Sequence, residues 1–139
     1  MKTTKYAHFF ESIDQNTPLS EYQKYIDARA GFKDPFHEVR GVEKIYEIFQ
    51  KMYENLDEPT FKIDEMIRQD NISYIKWYFS YKFKGKNEVQ GFYGVSRVVF
   101  DENSKMISHE DYWDSSENIY EHIPILSFAI KLVKNKIRG

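Results

Sequence analysis

Apolar positions follow a helical period through the first part of the chain. From Lys5 to Ile13, the residues Tyr6, Phe9, Phe10 and Ile13 recur at spacings of three and four, which predicts an amphipathic helix. Thr17-Pro18 supplies an N-cap followed by proline in the first helical position, and Leu19, Tyr22, Tyr25 and Ile26 predict a second, short helix. An extended piece from Arg29 to Asp34 stops at Asp34-Pro35, because proline drives the residue before it out of helical geometry. After Gly41 the pattern is strongest. Val42, Ile45, Phe49, Met52 and Leu56 share one face of a long helix, Glu43, Lys44, Glu47, Lys51 and Glu54 share the other, and Pro59 is the expected stop.

The period then drops to two. Phe61, Ile63, Glu65 and Ile67 alternate, and Asp70-Asn71 marks a turn. The run from Ile72 to Phe83 is rich in β-formers, among them Trp77, Phe79 and Tyr81. Lys84-Gly85-Lys86-Asn87 reads as a hairpin loop, Val89 to Phe100 as the next strand, and Asp101-Glu102-Asn103-Ser104 as a further turn before a last strand from Lys105 to Asp114. Helices followed by an antiparallel meander predict an α+β domain in which the helices cover one face of a curved sheet. Beyond it, Ser115-Ser116-Glu117 resembles a helix start, Pro124 interrupts or restarts that helix, and Ile125, Phe128, Ala129, Leu132 and Val133 form an apolar face. Lys131, Lys134, Lys136 and Arg138 make the last turns basic. Such a helix suits a lid or a dimer element, with contact to an anionic membrane surface as the less favoured alternative.

Composition narrows the function classes. A length of 139 residues is that of one domain. A net charge of -2, with both signs mixed, disfavours nucleic acid as a partner. Without cysteine there is no disulfide, thiolate metal site or cysteine nucleophile, and no apolar run has the length of a signal peptide or membrane span. A soluble, cytoplasmic protein is expected. The 11 Phe, 11 Tyr and 2 Trp call for a heavy aromatic core or a ring-lined cavity.

The candidate chemistry gathers in the last strand, HEDYWD at 109 to 114. Period-two alternation puts His109, Asp111 and Trp113 on one face and Glu110, Tyr112 and Asp114 on the other. Together with KDPFHEVRG at the first strand's end and VEKIYEIFQKMYENL in the long helix, this order resembles the nuclear transport factor 2 superfamily. Within it the chain is most similar to the SnoaL-like and ketosteroid isomerase-like branch, over roughly residues 5 to 114, leaving 115 to 139 as a C-terminal helical extension of one domain spanning 1 to 139.

The resemblance implies a cone-shaped α+β barrel whose interior holds a small, mostly apolar molecule, and homodimers formed through the outer sheet face. It implies that Asp34, just before the strand-ending proline, matches the catalytic aspartate of ketosteroid isomerases. That enzyme's oxyanion donors do not carry over. The expected tyrosine falls near Phe10, which cannot donate a hydrogen bond, and the expected buried acid falls near Ser96. SnoaL-type polyketide cyclases use an acid in such a cavity for an aldol closure without metal or cofactor. On that pattern Asp34, His109 and Asp111 are the candidate catalytic residues, and Phe49, Met52, Trp77, Phe79, Tyr81, Ser96 and Trp113 the candidate ligand-binding ones. Either Tyr81 or Ser96 would donate to an oxyanion, giving a cofactor-free isomerase or cyclase. The alternative is a non-catalytic binding or dimerisation module with the pocket closed by the C-terminal helix. Each residue also has a plain structural role: Asp34 can cap a turn, His109 and Asp111 can bond each other, and the Trp77-Phe79-Tyr81 stripe can be core. His37, His109 and Asp111 lack the spacing of a metal site, and no metal is expected.

Overall fold

The computed structural model describes residues 2–115 and 132–138. Two helices, α1 (Lys2–Ser12) and α2 (Leu19–Tyr25), lead into β1 (Ile26–Lys33) and β2 (Glu38–Arg40). Then come α3 (Val42–Asn55) and four long strands, β3 (Leu56–Gln69), β4 (Ile72–Phe83), β5 (Gln90–Phe100) and β6 (Met106–Tyr112). The strands form a six-stranded sheet in the order β2-β1-β6-β5-β4-β3. All neighbours are antiparallel except β1 and β6, which run parallel with Phe32 opposite His109 and Lys33 opposite Glu110. This is the expected α+β architecture, helices first and then a largely antiparallel sheet.

Three details depart from the sequence reading. β1 begins at Ile26, directly after α2, and β2 has only three residues, too few for any period to register. As expected, Gly41 opens α3; it has a φ of 109° and donates its N–H to the Ala30 carbonyl at 2.7 Å, a backbone setting that favours glycine. Pro59 does not end the helix. α3 stops at Asn55, and Pro59 sits inside β3 where the register shifts between Asp57 and Thr60, with Glu58 at a φ of 51°. β3 lies at the sheet edge, where a missing N–H and a bulge are tolerated.

The helices bury Tyr6, Phe9, Phe10, Ile45, Phe49 and Tyr53 against the inner sheet face. That face presents Ile75, Trp77, Phe79 and Tyr81 from β4 and Phe92, Ser96, Val98 and Phe100 from β5. Rings fill the interior: Phe61 lies 4.5 Å, centre to centre, from both Phe10 and Phe79. The outer face leaves Tyr74, Tyr93 and Tyr112 exposed. Residues 132–138 are helical, with Leu132 and Val133 exposed; the rest of the expected apolar stripe, Ile125, Phe128 and Ala129, lies outside the described residues. Among the described residues no helix is long and apolar enough to cross a membrane.

Candidate functional site

The inward phase of β6 is set by a single extra residue. Phe100 pairs with Met106 and Val99 with Ser108, so Ile107 is a bulge. Without it the inward set continuing from Met106 would be Ser108 and Glu110. With it, the inward set becomes His109, Asp111 and, past the strand end, Trp113, because a one-residue slip exchanges the two faces. His109 is 1% exposed, while the Asp111 side chain keeps 10% of its surface accessible.

These residues anchor a hydrogen-bonded chain across four elements. The Trp77 indole N–H donates to Ser96 Oγ at 2.7 Å, and the Ser96 hydroxyl donates to Asp111 Oδ1 at 2.5 Å. From the other side His109 Nε2 lies 2.7 Å from the same Oδ1, and the Tyr6 hydroxyl lies 2.8 Å from His109 Nδ1. Donor and acceptor roles follow from the ends. An ionised carboxylate only accepts, so Nε2 carries the imidazole proton; Nδ1 of the neutral ring is then the acceptor for the Tyr6 O–H. Burial, reinforced by the Asp111 charge, pushes the Tyr6 hydroxyl well above its ordinary pKa and keeps it a donor. The imidazole is boxed by rings, with Phe32 stacked at 5.1 Å and Phe10 at 5.5 Å. Both hydrogen bonds reaching Asp111 from described residues land on Oδ1.

Other predicted residues lie elsewhere. Asp34 is the next rung of the β1–β6 ladder and would stand beside Asp111, but the strand ends at Lys33 and its carboxylate is engaged in the following turn. Asp34 Oδ1 accepts the N–H groups of Phe36 and His37 at 2.8 and 2.7 Å and faces the His37 ring at 3.0 Å. Trp113 stacks on Phe92 at 4.5 Å and meets exposed Phe36 edge-on at 5.6 Å. Phe49 and Phe79 are core residues, and Met52 is half-buried at the edge of the same cluster. Tyr81 is inward and buried, which raises its hydroxyl pKa. It does not meet Asp111: Ser96 pairs with Ile75, and the six steps along β4 from Ile75 to Tyr81 span about 20 Å of strand. The Ser96 proton is likewise committed to Asp111.

Two participants escaped the sequence reading. Tyr6 sits one helical turn before Phe10, where the aromatic donor was sought, and its place on the apolar stripe was the available signal. Gly94, opposite Trp77, is the other.

Asp111 lines neither of two sizeable clefts, although the second is lined by its neighbours His109 and Glu110. One of about 560 Å³ opens between the α1–α2 loop and the β3–β4 strands, near Asp14, Tyr53 and Lys84. Another of about 430 Å³ follows β2, β1 and β6 past Gly31, Arg40 and Ser108. Among the described residues no three His, Asp or Glu side chains stand together as a metal centre would need.

The SnoaL-like domain family matches residues 6–109, a span that includes Tyr6, Trp77, Ser96 and His109 and stops two residues short of Asp111. The chain belongs to the SnoaL-like family. No curated protein matches it. Among solved structures, this SnoaL-like protein is similar to a hypothetical protein of ketosteroid isomerase-like fold from Catenulispora acidiphila in complex with trimethylamine, with 14% identity, 85% of this chain and 88% of that one covered, and a TM-score of 0.71. It is also similar to a proposed SnoaL-like polyketide cyclase from Jannaschia sp., at 7% identity, 81% and 85% coverage and a TM-score of 0.71. An LEH-like epoxide hydrolase from M. tuberculosis aligns at 11% identity over 96% of this chain and 92% of that one, with a TM-score of 0.70. At such identities the likeness establishes the fold, and one fold carries many activities.

Proposed function

We propose that this SnoaL-like protein acts on a small, mostly apolar carbonyl compound by cofactor-free general acid/base catalysis, with Asp111 as the base. The observation that carries this reading is the asymmetric carboxylate: Oδ1 takes Ser96 and His109, while the side chain retains accessible surface. Asp111 removes a proton from the carbon next to the carbonyl, the C–H electron pair becomes the C=C bond of the enolate as the carbonyl π pair moves onto oxygen, and the protonated acid returns the proton at the carbon where the product needs it. His109, fixed by Tyr6, holds the carboxylate and its charge. Asp34 keeps the turn beside the site. The similarity to a proposed polyketide cyclase fits this class of chemistry.

The test is hydrogen–deuterium exchange in D2O, followed by proton NMR, across a panel of cyclic ketones and 1,3-dicarbonyl compounds. The wild type accelerates exchange next to the carbonyl of at least one of them; Asp111→Asn loses about 100-fold or more, and Asp34→Asn retains it. Absence of acceleration, or acceleration that survives Asp111→Asn, refutes the assignment.

The ring-filled interior supports a second reading, a non-catalytic dimerisation module. In that case native mass spectrometry finds no bound small molecule, and no substrate in the panel exchanges. The exposed tyrosines of the outer sheet face support a homodimer in either case.

A further inference from the structure

Trp77 is the largest fully buried side chain among the described residues, and it lies flat against β5 at its register partner Gly94. A Cβ on Gly94 would stand 2.3 Å from Cη2 and 2.4 Å from Cζ2 of the indole, closer than real carbons approach. Any residue but glycine therefore displaces the ring. Lying there, the indole N–H reaches Ser96, two residues further along the same inner face. Having accepted that bond, Ser96 has its single proton to donate, and gives it to Asp111 Oδ1. His109 approaches the same oxygen from within β6.

We infer that Gly94, Trp77 and Ser96 are positioning residues that hold one oxygen of Asp111 as a double acceptor and present the other, Oδ2, to the ligand. The glycine clears the space, the indole orients the serine hydroxyl, and the hydroxyl fixes the carboxylate's rotation. A carboxylate held this way offers one oxygen, so it suits a ligand with a single proton to give and disfavours a guanidinium, whose paired N–H groups need both. The role of Oδ2 as proton acceptor rests on the acid/base reading above; the arm that holds Oδ1 does not.

The sequence contains two tryptophans, so the indole N–H of Trp77 can be assigned in proton–nitrogen NMR spectra of the full chain by comparison with Trp113→Phe. Carbon-13 labelling of aspartate reads the Asp111 carboxyl directly. Among the described residues the ionisable groups around it are His109 on β6, Tyr6 on α1 behind the imidazole and Asp34 at the end of β1, and Asp34→Asn is the control for the last. In the wild type the Trp77 resonance moves in step with the Asp111 carboxyl titration. In Ser96→Ala the carboxyl still titrates and the indole no longer follows; in Asp111→Asn the indole is flat; Ser96→Thr restores the coupling. Deuterium exchange into the panel substrates slows about 10- to 100-fold in Ser96→Ala and recovers in Ser96→Thr, as loss of orientation requires. Gly94→Ala shifts the indole resonance; if that variant does not fold, Ser96→Ala decides. An indole that stays flat through the wild-type carboxyl titration, or coupling that survives Ser96→Ala, overturns the inference. Coupling without substrate exchange strikes only the acid/base reading, and exchange without coupling strikes only the positioning arm.

Discussion

The Tyr6 hydroxyl stands 2.8 Å from Nδ1 of His109, although the two residues are 103 positions apart in sequence. The bond pins the first helix to the last strand inside the aromatic core, where neither group can turn to water instead. Tyr6→Phe keeps the ring and its edge-on contact with Phe100 but leaves a buried imidazole nitrogen without a donor. An unsatisfied buried acceptor costs about 1–3 kcal/mol, which urea unfolding at neutral pH measures as a lower midpoint with an unchanged slope.

The same tyrosine governs behaviour in alkali. Burial raises the pKa of Tyr6, and of Tyr22, while Tyr53 is pushed up to about 12 by burial and the nearby Asp14 charge. Folded chains thus keep protons that unfolded chains release. Stability is fully present below the unfolded-state tyrosine value and falls as pH rises past about 10 towards the folded-state values. In Tyr6→Phe the decline of unfolding free energy above pH 10 becomes shallower by about 1.4 kcal/mol per pH unit, one proton's share. Urea titrations at half-unit steps from pH 8 to 11 give both slopes, and equal slopes rule out Tyr6 as a contributor.

Helix stripes were legible because α1 and α3 each bury one continuous face, and the 3.6-residue period is visible over a few turns. The long strands were legible for the corresponding reason. Sheet order was not: β1 joins β6 in parallel across more than seventy residues, and no local pattern encodes a distant partner. Alternation sorted HEDYWD into two faces, but which face points inward depends on the bulge at Ile107, whose single apolar residue looks ordinary in sequence. Gly94 was invisible for a different reason. A glycine within a strand reports that something approaches closely, and only the fold says that it is Trp77.

Asp34 separates a turn from a reaction. Its Oδ1 caps two backbone N–H groups, so Asp34→Ala takes the acceptor from both donors at once and destabilises by roughly 1–2 kcal/mol. Asp34→Asn retains an amide oxygen for the same N–H groups and loses less. Calorimetric melting of the two variants orders them Asn above Ala. Exchange of the panel substrates stays near the wild-type rate in Asp34→Asn, and a loss comparable to that of Asp111→Asn would move the base to Asp34.

On the outer sheet face Tyr93 is 56% exposed, packs its ring 4.8 Å from that of Tyr78 across the β4–β5 pair, and carries Lys76 over its face at 4.9 Å. Tyr74 on β4 and Tyr112 on β6 extend the same surface across three adjacent strands. In a two-fold dimer each patch meets its own copy, so one substitution is felt twice. Tyr93→Glu would place two like charges in the interface while leaving the inner face untouched. Sedimentation velocity at micromolar concentration therefore yields dimers for the wild type and monomers for Tyr93→Glu, with the far-UV circular dichroism of the two alike. A monomeric wild type would show that these tyrosines serve no self-association.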